Sequence, residues 1–193
     1  MPHLVEPVVA PGRLRAMPQP VLEAGPDTRL VPWHLKHADA VLRAFADPEI
    51  QRWHIRRMSS TAEAHDWIGQ WGVSWQAESD AAWAVTDATT GRLLGYAAVR
   101  EISLMLGWAQ ITYWVVADAR RAGVSIAAVG RLVRWSFDEI RLHRLEIVHA
   151  VENMASCRVA DKAGFALEGT LRSAMLHADG WHDMHLHAAI ADG

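Results

Sequence analysis

Arg120-Arg121-Ala122-Gly123-Val124-Ser125 stands between a run that reads as a buried strand and a run that reads as a helix. Tyr113, Trp114, Val115 and Val116 are aromatic or β-branched, and the run breaks off at Ala117-Asp118-Ala119. Beyond Gly123, the residues Ile126, Val129, Leu132, Val133, Phe137 and Ile140 recur with a helical period. Unpaired backbone N–H groups at a helix start point outward and the helix dipole favours an anion, so two guanidinium groups beside a glycine there suit a pyrophosphate. Downstream, Asn153 sits where a strand over Leu145 to Val151 gives way to a second helix that stops at Gly164. That is the place of an N-cap, and a capping residue can also bind a ligand. Cys157 falls in the first turn of the same helix, where a thiol pKa can drop; a small packing residue is the other reading, and Cys157 is left out of the catalytic set. His149 titrates near pH 6.5 when unperturbed, which suits a general base at neutral pH and equally a satisfied core histidine.

The ordered set Arg120-x-x-Gly123-x-Ser125, Asn153-x-x-Ser156 and Lys162-x-Gly164-Phe165 resembles the acetyl-CoA motif of the GNAT N-acyltransferases. Asn153-Met154-Ala155-Ser156-Cys157-Arg158, Leu167-Glu168-Gly169-Thr170 and Asp179-Gly180-Trp181-His182-Asp183 are similar to the RimJ/RimL branch, which acetylates ribosomal-protein N-termini. The likeness runs over about residues 28 to 190. It implies an α/β GNAT fold: a mixed, mostly antiparallel sheet of about seven strands, a splayed parallel pair in the middle, and four helices. It also implies acetyl-CoA as acyl donor with no metal, and direct attack of an amine on the thioester in a ternary complex.

Carried over residue by residue, the resemblance places the backbone of Trp114, Val115 and Val116 along the pantetheine arm, with an N–H near Trp114 or Val115 polarising the carbonyl. Arg120, Arg121, Ala122, Gly123, Val124 and Ser125 hold the pyrophosphate. Asn153 bonds the arm or the substrate, and Ser156 reaches the thioester sulfur. The acceptor binds near the first two helices, which points to Trp53 and His54, and Gln110 is a further acceptor-side residue. Many relatives carry an acidic residue where this chain has Gln110, and an amide cannot take a proton, so His149, Glu101 and Asp183 are the substitute bases. Arg121 and Ser125 stand where small residues are usual, and His187 where a tyrosine is frequent. A CoA-binding relative without turnover is the alternative to an enzyme.

The chain has 193 residues, 51% hydrophobic and 21% charged, enough for one well-buried domain. A formal charge of −3 carries no polyanion signature, so nucleic acid is not an expected partner. A single cysteine forms no internal disulfide, and the lack of a signal-like start or a spanning apolar run points to the cytoplasm and away from membranes. A small-molecule amine or a peptide N-terminus is the expected partner, and a homodimer is left open.

The positioning elements follow from pattern. Residues 1–27 hold six of the eight prolines and read as an extended or disordered extension ahead of a catalytic domain over 28–193, with docking on a partner subunit as the other reading. Thr28 to Val31 reads as a strand and Ala38, Val41, Leu42 and Phe45 as a helix face. A second helix opens at Ser60 with Glu63 three residues on, and Ala64, Trp67, Ile68, Trp71 and Trp75 form an apolar stripe suited to core. Ala82 to Asp87 and Leu93 to Glu101 read as strands, and the chain ends in a hairpin turning at Asp179-Gly180. In its second strand His185 and His187 share a face and His182 faces away, a histidine set without the thiolate or carboxylate that would complete a zinc site.

Overall fold

Among the described residues, strand-forming runs at eight places join into a single sheet: β1 (Leu22–Glu23), β2 (Thr28–Pro32), β3 (Ala81–Asp87), β4 (Leu93–Ser103), β5 (Trp108–Val115), β6 (Arg144–Ala150), β7 (Ala166–His177) and β8 (Gly180–Ile190). Their order is β1-β2-β3-β4-β5-β6-β8-β7, antiparallel throughout except for the parallel pair β5 and β6. The computed structural model describes residues 5–191; Pro2, with the rest of residues 1–4, and residues 192–193 at the end of the expected domain lie outside the described residues.

Among the described residues five α-helices cover the sheet: α1 (Ala38–Phe45), α2 (Pro48–Trp53), α3 (Thr61–Ala77), α4 (Val124–Arg134) and α5 (Met154–Lys162). The family resemblance implies four. The additional one is α2, too short to show a period, yet well started: Asp47 accepts from Glu49 N at 2.9 Å, and Pro48 occupies a first-turn position where a missing N–H costs nothing. Likewise β1 is the strand beyond the expected seven; its two residues pair with Arg29 and Leu30. Ser60 caps α3 by accepting from Glu63 N, while Glu63 reaches back to Ser59 N at 2.7 Å.

Alternation along β5 divides the core. Ala109 and Ile111 face α4 together with Leu132, Trp135, Leu145 and Ile147. Trp114 faces α1 and α3, where it joins Tyr96, Phe45, Trp67 and Trp71. The stripe on α3 is therefore core, with ring centroids 5.2 Å apart between Trp67 and Trp71 and 5.5 Å between Trp67 and Tyr96.

Residues 5–27 of the proline-rich segment pack on the core rather than extending away from it. Val8 N and Val9 N donate to Met105 O and Leu104 O, and Leu14 and Leu22 are fully buried. A proline lacks a donor but keeps its carbonyl, and that suits a segment laid over tryptophans: Pro20 O accepts from Trp83 Nε1 at 2.8 Å and Met17 O from Trp75 Nε1 at 3.1 Å. Gly107, at φ 62°, has to be a glycine here, because a Cβ would lie 2.5 Å from Val8 Cγ1 and 3.1 Å from His143 N. Glu78 ties the segment down. Its buried carboxylate accepts from Gly12 N at 2.6 Å and Leu14 N at 2.7 Å.

Burial raises the Glu78 carboxyl pKa, the backbone donors lower it, and the net effect is a lowering. A carboxyl depressed in the folded state gives its stabilisation above the unfolded value of about 4.3 and loses it as pH falls through the folded value. Stability should therefore drop on acidification below about pH 4.3. Glu78→Gln should flatten that drop and cost about 1–3 kcal/mol at neutral pH. Urea unfolding across the pH range checks both effects.

Candidate functional site

The parallel pairing of β5 with β6 covers Trp108 with Arg144, Ala109 with Leu145 and Gln110 with Glu146, and no pair follows. Past Gln110, β5 remains bonded to β4 and β6 to β8, so a cleft opens between them. The alternation of backbone direction shows which groups face it. Val116 N donates to Leu94 O on the β4 side, so the N–H groups of Tyr113 and Val115 turn to the cleft and that of Trp114 does not. The Val115 carbonyl also faces that way and accepts from Arg120 Nε at 3.3 Å. Of the two expected polarisers, Val115 is the one placed on the open side. Trp114 contributes a side chain to the opposite core, stacked on Tyr96 with centroids 5.8 Å apart.

Across the cleft stands the first turn of α5. Asn153 caps it, its side-chain oxygen accepting from Ser156 N at 3.1 Å. The Ser156 hydroxyl shares a 2.7 Å hydrogen bond with the hydroxyl of Tyr113, which reaches over from β5. Burial pushes the Tyr113 phenol up to about 12 while its bond to Ser156 lowers it less, so this hydroxyl keeps its proton at neutral pH. Sequence reasoning does not single out the Tyr113 side chain for chemistry. Its place in a strand run argues for packing, and only the strand's facing, which pattern does not give, turns it toward Ser156.

The turn into α4 begins with Arg121 at φ 64° and Gly123 at φ 77° as N-cap. Nothing lies within 4 Å of the point where a Gly123 Cβ would sit, so the approach to the N–H groups of this turn is open. Arg121, Ala122 and Gly123 are exposed, Ser125 is half-buried, and the Val124 side chain is buried beneath the turn. Arg120 differs from its neighbour. Its guanidinium is held by Asp47 from the start of α2 as well as by the Val115 carbonyl, and so clasps β5 to the α1–α2 corner. On the α1 side of that clasp lies a cavity of about 800 Å³ lined by Lys36, Arg43, Arg92 and Val116.

Trp53 ends α2 and His54 follows it toward α3. Trp53 Nε1 donates to Glu49 at 3.1 Å, with the Arg52 guanidinium 4.5 Å above its ring. His54 packs edge-on to Phe45 at 5.0 Å, and burial followed by the nearby Arg56 and Arg57 lowers its pKa to about 4, so it is neutral. Beyond them a smaller cavity of about 300 Å³ is lined by Arg56, Arg57, Met58, Glu63 and Asp66. Gln110, half-buried, shares the Trp114 side of β5, between Arg100 and Glu146 in register.

Of the substitute bases, Glu101 is exposed at a bulge of β4 with φ 54°, and Asp183 accepts from Ser173 N at 2.8 Å in the hairpin. His149 is buried on β6 beneath α5. Its Nδ1 lies 2.8 Å from Ala150 O and its Nε2 has neither solvent contact nor a partner among the described residues, so a proton taken there would have to reach an enclosed nitrogen. Burial lowers its pKa, which keeps the ring neutral.

The clasp can be tested by substitution. Asp47 and Arg120 are 15% and 31% exposed, between the surface and buried regimes of ion pairing. Arg120→Ala, which strands Asp47, should cost about 1–3 kcal/mol in urea unfolding. Arg121→Ala should stay within about 0.5 kcal/mol. Equal effects of the two would contradict the clasp.

Known proteins share this chain's sequence pattern and fold. Residues 27–166 match the family described as "Acetyltransferase (GNAT) domain". The chain is 24% identical over 154 residues to a Bacillus subtilis protein named as an uncharacterized N-acetyltransferase, YoaA, covering 79% of this chain and 87% of that one. It is 31% identical over 100 residues to the ribosomal-protein-serine acetyltransferase of Escherichia coli, covering 52% and 56%. A solved structure of RimL, a ribosomal L7/L12 alpha-N-protein acetyltransferase in complex with coenzyme A, superposes with a TM-score of 0.84 at 19% identity, covering 90% of this chain and 99% of that one. With the family's sequence pattern over most of its length and the family's sheet around a split parallel pair, this chain is a GNAT-family N-acetyltransferase.

Proposed function

We propose that the chain is an acetyl-CoA-dependent transferase acting on a primary amine, with a protein N-terminus as the leading acceptor, by direct attack within a ternary complex. The observation that carries this reading is the Tyr113–Ser156 hydroxyl pair spanning the cleft beside the free N–H groups of Tyr113 and Val115. The activities named for the E. coli relative and for RimL favour a protein N-terminus over an amino sugar, an antibiotic or another small amine.

Acetyl-CoA supplies a thioester whose carbonyl an amine can attack. The residues present suit it. The open turn of Arg121 to Ser125 offers backbone donors and the positive end of α4 to a pyrophosphate, with the Arg121 side chain beside it and Arg120 holding the turn in place. The strand edge at Tyr113 to Val115 offers donors to an extended amide-bearing arm, as an unpaired edge does to an added strand. Val115 N–H is placed to bond a carbonyl oxygen as its charge grows. Asn153, its oxygen committed to Ser156 N, keeps its amide N–H groups for a ligand. Ser156 Oγ–H would hydrogen-bond the departing sulfur, with Tyr113 Oη–H, which can donate to that oxygen, orienting it, and the proton the attacking amine loses balances the one the thiolate gains.

The alternative, a CoA-binding relative without turnover, rests on Gln110 in the place of an acid. A thiol-release assay with peptides of differing N-termini, followed by intact mass, separates the two: acetylated peptide is expected, and CoA binding without any product would support the alternative. Ser156→Ala should lower kcat by ~100-fold with acetyl-CoA affinity little changed, and Tyr113→Phe by about tenfold. Full turnover of Ser156→Ala with chemistry rate-limiting would overturn the role given to its hydroxyl.

A further inference from the structure

Beneath α5, four metal-binding side chains from three elements converge: His149 on β6, Cys157 on α5, and His185 and His187 on β8. One ligand atom from each lies within 4.8 Å of all the others. The arrangement follows from register. His149 is paired directly with His185, and the period of two along β8 returns His187 to the same face. The ring centroids are 5.5 Å apart for His149 and His185, and 5.1 Å for His149 and His187. Cys157 comes down from the first turn of α5, its Sγ 4.0 Å from His187 Nε2.

One ring nitrogen of each histidine in this cluster is unmet. His149 Nε2, His185 Nδ1 and His187 Nδ1 are buried without a hydrogen-bond partner among the described residues, and His149 and His187 as whole residues are 5% and 1% exposed. Two buried imidazoles and a half-buried third, each with an idle enclosed ring nitrogen, cost desolvation that nothing among the described residues returns. His149 is also oriented as a ligand is oriented: its Nδ1–H can donate to Ala150 O, which presents the Nε2 lone pair to the cluster.

We infer that His149, Cys157, His185 and His187 form a tetrahedral site for a borderline-soft divalent cation, zinc being the ion that suits a His₃Cys set. Binding displaces the Cys157 thiol proton, since the thiolate is the ligand, and the proton leaves to solvent. Zinc bonds of roughly 2.0–2.3 Å in a tetrahedron put ligand atoms about 3.3–3.6 Å apart, so the side chains close in by about 1 Å. Four protein ligands fill the coordination sphere, which makes the site structural. It would pin the first turn of α5, and with it Asn153 and Ser156, to the two strands beneath. The inference does not depend on the acyl acceptor or on turnover.

A second group, His177, Asp179 and His182 at the hairpin turn, is a weaker candidate. His182 Nε2 is already bonded to Asp179 at 2.8 Å, and Asp179 is exposed. It serves as the control.

The test is titration of the full chain, stripped of metal by chelation, with Co²⁺ alone. A near-ultraviolet thiolate charge-transfer band and intense visible bands of tetrahedral cobalt should saturate at one equivalent and vanish on adding Zn²⁺. Cys157→Ser should abolish the charge-transfer band. His185→Gln should weaken zinc by at least the ~10–100-fold that changes around a metal centre cost, with His177→Asn/His182→Asn leaving it unchanged. Should His185→Gln fail to fold, alkylation of Cys157 in the unaltered chain tests the same site, with protection by stoichiometric zinc expected. Absence of the charge-transfer band, unprotected Cys157, or zinc binding lost in the His177/His182 variant and kept in Cys157→Ser would each overturn the site.

Discussion

Backbone groups past Gln110 and Glu146 on the facing edges of β5 and β6 have no strand to pair with, and a folded chain does not leave such groups buried and unmet. Three parallel pairs join the strands before they part. The two sheet halves are each completed elsewhere, β5 by β4 and β6 by β8, so the cleft is held open by bonds on either side of it. The residues of the proposed chemistry lie along that opening. The turn to α4 stands where β5 leaves it, α5 starts where β6 leaves it, and the Tyr113–Ser156 bond crosses it.

Keeping the strands apart takes packing on both faces. On one face α4 and its continuation as a π-helical turn, Trp135–Ile140, bury Trp135 against Trp83 with centroids 4.9 Å apart. On the other, α1 and α3 close an aromatic cluster around Trp67, and the Arg120–Asp47 pair locks the exit of β5 to that layer. The N-terminal segment belongs to the first layer, since Leu14, Val9 and Leu22 share a core with Leu132 and Trp135. Glu78 supplies what that segment cannot supply itself, an acceptor for backbone N–H groups at a helix end with a left-handed φ of 58°.

What can be read from sequence is local. Gly123 after a strand, Asn153 before a helix, the stripe from Ala64 to Trp75 and the Asp179-Gly180 turn each announce themselves within a few residues, and each stands where the pattern puts it. What escapes depends on partners far along the chain. Prolines argue against a laddered N-terminus, but pattern does not say that the Met17 and Pro20 carbonyls meet tryptophans 58 and 63 residues away. Tyr113 reads as packing because a strand run does not declare which neighbour each face meets. His182, His185 and His187 read as an incomplete set because the thiolate and the further imidazole lie on other elements, and only the β6–β8 register brings His149 opposite His185.

In the proposed function the parted edge of β5 and the turn into α4 act as one continuous cofactor surface. Amide hydrogen exchange followed residue by residue, with and without acetyl-CoA, addresses this most directly. Acetyl-CoA should slow exchange at Tyr113 and Val115 and across Arg121 to Ser125 together, with the Trp114 amide, already turned to β4, unchanged. Protection confined to the cavity lined by Lys36, Arg43 and Arg92, with Tyr113 and Val115 exchanging as before, would contradict it.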